Sequence, residues 1–168
     1  MKIKLIYHSD INGIAKETVP RTIKNTFRNV VVEEEEGLTN ISFAYNNYRK
    51  QYDAEKILSK LISTEEPVFL AILPFDIYVL GLNFVFGVAF PGQGCVISTF
   101  RLKISADKNL YINRLAKTVR HELGHVFGLR HCENPCVMRF ANSLYELDLK
   151  SSNFCPTCRE KLMKLGLM

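Results

Sequence analysis

The 168-residue chain is 47% hydrophobic and 23% charged, with a formal net charge of +5. That balance is ordinary for a soluble globular protein and excludes a disordered chain; at this length one domain can bury roughly 70% of its unfolded surface. Lys and Arg are spread without a run of five or six, so the basic excess speaks for solubility and no nucleic-acid partner is expected.

In chain order, residues 1–8 lack the long apolar core of a signal peptide, and Ile3 to Tyr7 is predicted as a first strand. Ile14, Ala15, Val19, Ile23 and Phe27 stand near helical spacing, which predicts a helix over 12–27 with Pro20 as a kink or a late start. Val30-Val31-Val32 is a β-branched strand running into Glu33–Glu36 and Gly37, read as a solvated strand end and turn. Leu38 to Tyr52, rich in Asn and Tyr, reads as a surface loop with one or two buried tyrosines. Asp53 is an N-cap for a helix whose Ala54, Ile57, Leu58, Leu61 and Ile62 form one apolar face.

Pro67 to Pro91 is almost wholly apolar. Pro74, Asp76, Gly81, Asn83 and Gly87 within it suit two buried strands and a turn better than a spanning helix, so no membrane association is expected. Val68–Leu73, Val85–Phe90 and Cys95–Leu102 are the next candidate strands. Short strands and helices in alternation, then strands in series, argue an α/β (α+β) sheet with helices packed on it. Asp107 is placed to cap a long helix. Its buried face is Ile112, Leu115, Val119, Leu123 and Val126, while Arg114, Lys117, Thr118, His121 and His125 face a cleft.

That helix ends in His121-Glu122-Leu123-Gly124-His125-Val126-Phe127-Gly128-Leu129-Arg130-His131, an HExxHxxGxxH pattern. Residues four apart share a helix face, so His121 and His125 can reach one metal ion with Glu122 beside it. A sharp turn at Gly128 would let His131 supply a third nitrogen. Three protein ligands and an open position are the arrangement of a catalytic zinc, which lowers the pKa of its water from 15.7 to about 7 and polarises a carbonyl. Glu122 can take the proton and deliver it to a leaving amine, so the reaction implied is peptide-bond hydrolysis.

Cys132 and Cys136, then Cys155 and Cys158, are two pairs at the general spacing of a four-cysteine structural zinc site. Cys155-Pro156-Thr157-Cys158 also has the form of a redox CxxC motif, but a second pair at zinc spacing favours metal. Cysteine usage without a secretory signal suggests the cytoplasm. Cys95 reads as a buried strand residue and His8 as an ordinary strand-end histidine.

His121 to His131 fused to these four cysteines, with Met138 two residues past Cys136, resembles the archaemetzincins, a family of metzincin-type zinc peptidases. Three residues separate Cys132 from Cys136 where four are typical of that family, and Phe140 stands where many other metzincins carry a tyrosine. The resemblance implies a zincin-like twisted mixed sheet, Met138 as a hydrophobic support beneath the metal, and Val85–Phe90 as an antiparallel edge strand open to an extended peptide. The expectation is a single domain over 1–168, with an N-terminal subdomain (1–127) and a zinc-stabilised C-terminal subdomain (128–168). It would hold two Zn²⁺ ions and act on a peptide or protein substrate. The alternative is a non-catalytic zinc-stabilised peptide- or protein-binding module. The sequence does not speak to oligomeric state.

Overall fold

A strand that is apolar at every position belongs in a sheet covered on both faces, and VFLAIL at Val68–Leu73 is such a strand. In the computed structural model, which describes residues 1–62 and 68–168, the elements run β1 (Lys2–Tyr7), α1 (Gly13–Thr26), β2 (Val31–Glu36), β3 (Tyr45–Asn46), β4 (Gln51–Asp53), α2 (Ala54–Leu61), β5 (Val68–Leu73), β6 (Ile77–Tyr78), β7 (Gly87–Phe90), β8 (Gly94–Ser98), α3 (Lys108–Val126), α4 (Leu144–Leu149) and α5 (Pro156–Lys164). Pro67, where the apolar segment begins, lies outside the described residues.

The main sheet has the order β2-β1-β5-β8-β7, parallel except for β7, which pairs antiparallel with β8 at one edge. Alternation along the strands separates two cores. Leu5, Leu70, Ile72, Cys95 and Ile97 pack with Ala15, Val19 and Ile23 of α1 and with Leu115, Val119 and Leu123 of α3. On the other face Ile6, Phe69, Ala71, Leu73 and Val96 pack with Ala54, Ile57 and Leu58 of α2. This is a mixed α/β fold with helices on both sides of the sheet. No helix among the described residues is long and apolar enough to cross a membrane.

Helix starts follow side-chain chemistry. Asn12, Asp53, Asp107 and Ser143 each accept the backbone N–H three residues on, at 2.8, 3.1, 2.8 and 3.1 Å. Pro20 is buried inside α1, which continues through it.

Several expectations are corrected. The glutamates are the solvated end of a strand, as read, but the strand runs through all four: β2 extends to Glu36, with Lys2 and Lys4 of β1 pairing with Glu33 and Glu35 at 2.8 and 3.1 Å. The segment 38–52 is only partly loop. Leu38, Ile41 and Ala44 are buried, and β3, β4 and β6 form a small sheet fixed by Gln51, whose amide donates to Asp76 (3.0 Å) and to the Asn83 carbonyl (2.9 Å). The strand expected over 95–102 stops at Ser98, and a 3₁₀ turn follows at Arg101–Lys103. Beyond Gly128 the chain holds a further helix, α4, capped by Ser143 and too short to show a period.

The long helix departs most. Tyr111 is buried and Ile112 only half-buried, and Arg114 and Lys117 do not face a cleft. α4 covers them. The Arg114 guanidinium forms a two-pronged pair with Asp148 (2.7 and 2.7 Å) and Lys117 Nζ donates to the carbonyls of Leu147 and Asp148 (2.9 and 2.9 Å).

Candidate active site

α3 lies against β7 and β8, which brings its last turns beneath the antiparallel edge of the sheet. His121 and His125 stand one turn apart with their rings perpendicular and their Nε2 atoms 3.1 Å from each other. The helix ends at Val126 and Gly128 adopts φ 88°, the left-handed geometry glycine takes without strain. The Leu129 N–H then returns to the Gly124 carbonyl at 2.9 Å. His131 is thereby turned back toward the helix, its ring centre 5.3 Å from that of His121 and 4.8 Å from that of His125. One ring nitrogen from each of the three lies within 4.8 Å of the others.

The donor set fits a metal ion. Nδ1 of His121 meets the Val137 carbonyl at 2.8 Å and Nδ1 of His125 meets the Leu129 carbonyl at 2.8 Å. A carbonyl can only accept, so both rings carry Nδ1–H and both Nε2 lone pairs point at one place. Two lone pairs so close repel unless a cation separates them. Ligands ~2.0–2.1 Å from a tetrahedral zinc stand ~3.3 Å apart, close to the spacing of these two nitrogens. Burial holds the imidazoles below the usual histidine range, His121 most strongly, and so favours the neutral form that binds metal.

Glu122 is buried, and that burial pushes its carboxyl up to about 8, with the Lys150 ammonium acting the other way. Any cation held among the histidines would draw it back toward the charged form. Its space comes from Gly87 of β7. A Cβ there would stand 2.7–2.8 Å from the Glu122 Cγ, Cδ and Oε1.

Cys132, Cys136, Cys155 and Cys158 form a second group, their sulfurs within 4.8 Å of one another and none in a disulfide. The Cys132 and Cys155 sulfurs are 3.7 Å apart, against ~3.8 Å for thiolates ~2.3 Å from one tetrahedral zinc. Cys136 Sγ accepts the backbone N–H groups of Met138 (3.4 Å) and Cys155 (3.2 Å), which suits a sulfur carrying negative charge. The two groups are joined: the Cys132 N–H bonds the Met138 carbonyl at 3.1 Å, and Val137 between them holds His121. Met138 is fully buried against α3, where a Cβ on Gly124 would lie 2.4 Å from its Sδ.

The histidines open on a cleft of about 320 Å³ lined by Leu82, Phe84, Phe86, Val88 and Leu147, with Thr118, Glu122 and Lys150 among its polar members. Phe140 packs on His131 with ring centres 5.2 Å apart. Cys95 is buried in β8, and His8 packs edge-on against Phe75 at 4.9 Å. Lys150 and Gly87 were not read as site residues from the sequence. Lys150 is the residue that ends α4, and its Nζ lies 3.2 Å from His121 Nδ1 and donates to the Arg139 carbonyl at 3.1 Å. Burial pushes its pKa down to about 8, Glu122 opposing. Its position after a capped helix is the only sequence signal for it, and that helix is too short to read.

Histidines at the end of a helix that runs under the antiparallel edge of a mixed sheet are the arrangement of a zinc metallopeptidase. Residues 30–164 match the model of Peptidase family M54. The chain is 46% identical over 119 residues to the archaemetzincin of Archaeoglobus fulgidus, covering 70% of this chain and 72% of that protein. It is 32% identical over 171 residues to that of Halobacterium salinarum strain R1, covering 95% and 98%. It superposes on the crystal structure of the Methanopyrus kandleri archaemetzincin with a TM-score of 0.87 at 37% identity, over 98% of this chain and 94% of that one. The A. fulgidus structure, complexed with malonate, gives 0.84 at 38% identity over 96% and 99%. The chain therefore belongs to Peptidase family M54, the archaemetzincins, and is a zinc metallopeptidase.

Proposed function

We propose that the cleft hydrolyses peptide bonds with His121, His125 and His131 holding a zinc ion and Glu122 acting as general base and then general acid. Cys132, Cys136, Cys155 and Cys158 hold a second, structural zinc. The observation that carries this reading is the convergence of two Nε2 lone pairs and a His131 nitrogen beside a buried carboxylate. Zinc in that position supplies a Lewis acid for the scissile carbonyl and a water acidified to a pKa of about 7.

The protein's own groups do the rest. Glu122, kept basic by burial, takes a proton from the attacking water and hands it to the leaving amine. The bare α-carbon of Gly87 lets that carboxylate sit directly beneath β7. Among the described residues no strand pairs with the outer edge of β7, which offers backbone groups to an extended peptide, and the apolar walls take a side chain. The loop carrying His131 runs straight into Cys132, so the cysteine group of the C-terminal subdomain (128–168) fixes the third histidine against the N-terminal subdomain (1–127).

Glu122→Ala tests the reading. Peptide hydrolysis should be abolished while zinc content and peptide binding are retained. Hydrolysis that survives the substitution would contradict it.

A further inference from the structure

The hydrolytic reading leaves Lys150 without a role, although the fold spends two buried cations on placing it. Arg114 and Lys117 anchor the end of α4 through Asp148 and the carbonyls of Leu147 and Asp148, and Lys150, two residues beyond Asp148, is the residue that ends the helix. Its ammonium is under-satisfied. It donates to the Arg139 carbonyl, but His121 Nδ1, the other atom within reach, already carries a proton toward Val137 and offers no lone pair. Among the described residues no carboxylate lies within ion-pair distance of it, Glu122 in the same cleft acting on it only at longer range, and a half-buried ammonium in an apolar cleft calls for an anion.

Its position decides which anion. Nζ meets His121 on Nδ1, the nitrogen turned away from the point where the three histidines converge. An oxygen held at that point is a ring's width beyond it, so the group Lys150 serves lies further along the substrate. A peptide pairing antiparallel with β7 enters beside Phe90 and Pro91 and leaves beside Gly87. Pro91 borders both this cleft and the adjoining depression that holds Arg130, whereas Gly87, Leu147 and Lys150 line the cleft alone. The C-terminal portion of the substrate therefore reaches the ammonium.

We propose that Lys150 is a specificity-determining residue that anchors a carboxylate of the substrate on the C-terminal side of the scissile bond, from the chain terminus or an acidic side chain. The proposal rests on the peptidase reading of the cleft. A charge-assisted bond of this kind gives a preference of about tenfold for carboxylate over amide.

The test is equilibrium binding to zinc-loaded Glu122→Gln protein, with Lys150 or with Lys150→Met, Lys150→Arg and Lys150→Gln, zinc content being measured first. Three probes are titrated: N-acetyl-alanyl-alanyl-leucine, its C-terminal amide, and an amide of the same length ending in glutamate. With Lys150 the free acid should bind about tenfold tighter than the leucine amide, the preference should persist with arginine, and it should vanish with methionine. Lys150→Gln decides in the same way should the methionine variant lose its zinc. A glutamate-ended amide that matches the free acid keeps the proposal and assigns the carboxylate to a side chain. A preference that survives removal of the charge places the carboxylate elsewhere and overturns the proposal, as does an equal loss for all three probes. Absence of product from these peptides with the wild-type protein would count against the hydrolytic reading alone, since the binding ratios decide on Lys150 separately.

Discussion

Replacing Gly87 by alanine probes the placement of Glu122 without touching it. The new methyl would stand 2.7 Å from Glu122 Cγ and 2.8 Å from Cδ and Oε1, about 0.6–0.7 Å inside the 3.4 Å at which ordinary contact begins. Glu122 is buried on α3, so its carboxylate must swing aside by most of that distance. A misplacement near 1 Å at a reacting group can cost ~10²-fold, so kcat should fall by roughly one to two orders of magnitude. Overpacking adds a destabilisation of ~1–3 kcal/mol, which leaves the histidine and cysteine groups intact. The assay is steady-state hydrolysis of a fluorogenic peptide by zinc-replete protein, well below the melting temperature of both forms. A kcat within threefold of wild type would refute the reasoning. So would a raised KM with an unchanged kcat, which would mean that β7 yields and Glu122 stays.

Other outcomes follow from the same contacts. Arg114→Met strips Asp148 and the carbonyls of Leu102 and Ile104 of a buried donor, so thermal unfolding should show a loss of about 3 kcal/mol, or ~6–12 °C in Tm; a change under ~1 kcal/mol would mean that α4 is held otherwise. Hydrogen bonding from Arg114 holds the Asp148 carboxyl below its ordinary value of 3.8. The stabilisation is therefore complete above that value and is lost as pH falls through the lower folded one, and Asp148→Asn should flatten the acid limb of Tm against pH relative to wild type. Cys155→Ser should remove one zinc by elemental analysis and also weaken metal binding at the histidines, because the Cys132–Met138 turn supports both His121 and His131; full occupancy of the histidine group in that variant would sink the coupling.

What could be read in the sequence was what the chain encodes locally. His121 and His125 share a face because of the helical period, and the turn at Gly128 needs no partner outside the motif. The cysteine pairs likewise announce themselves by spacing. β5 was legible because an unbroken apolar run admits few environments. Gly87 and Lys150 were hidden for the opposite reason. Each matters through a residue on another element, Gly87 by the space it leaves to Glu122 and Lys150 by its approach to His121. Arg114 and Lys117 misled because polar residues on a helix default to the open side. Here they are buried to hold α4, a six-residue helix with no readable period. Glu33–Glu36 were legible as a solvated strand end but not as strand throughout, since the lysines that pair with the run stand in β1.

The central claim is that one chain carries two distinct zinc sites, one of histidines and one of cysteines. Elemental analysis of the purified wild type beside His121→Ala/His125→Ala/His131→Ala tests it most directly. The account predicts two zinc ions per chain in the wild type and one in the triple variant. Equal zinc content in the two proteins would contradict it, because the converging imidazoles would then hold no metal.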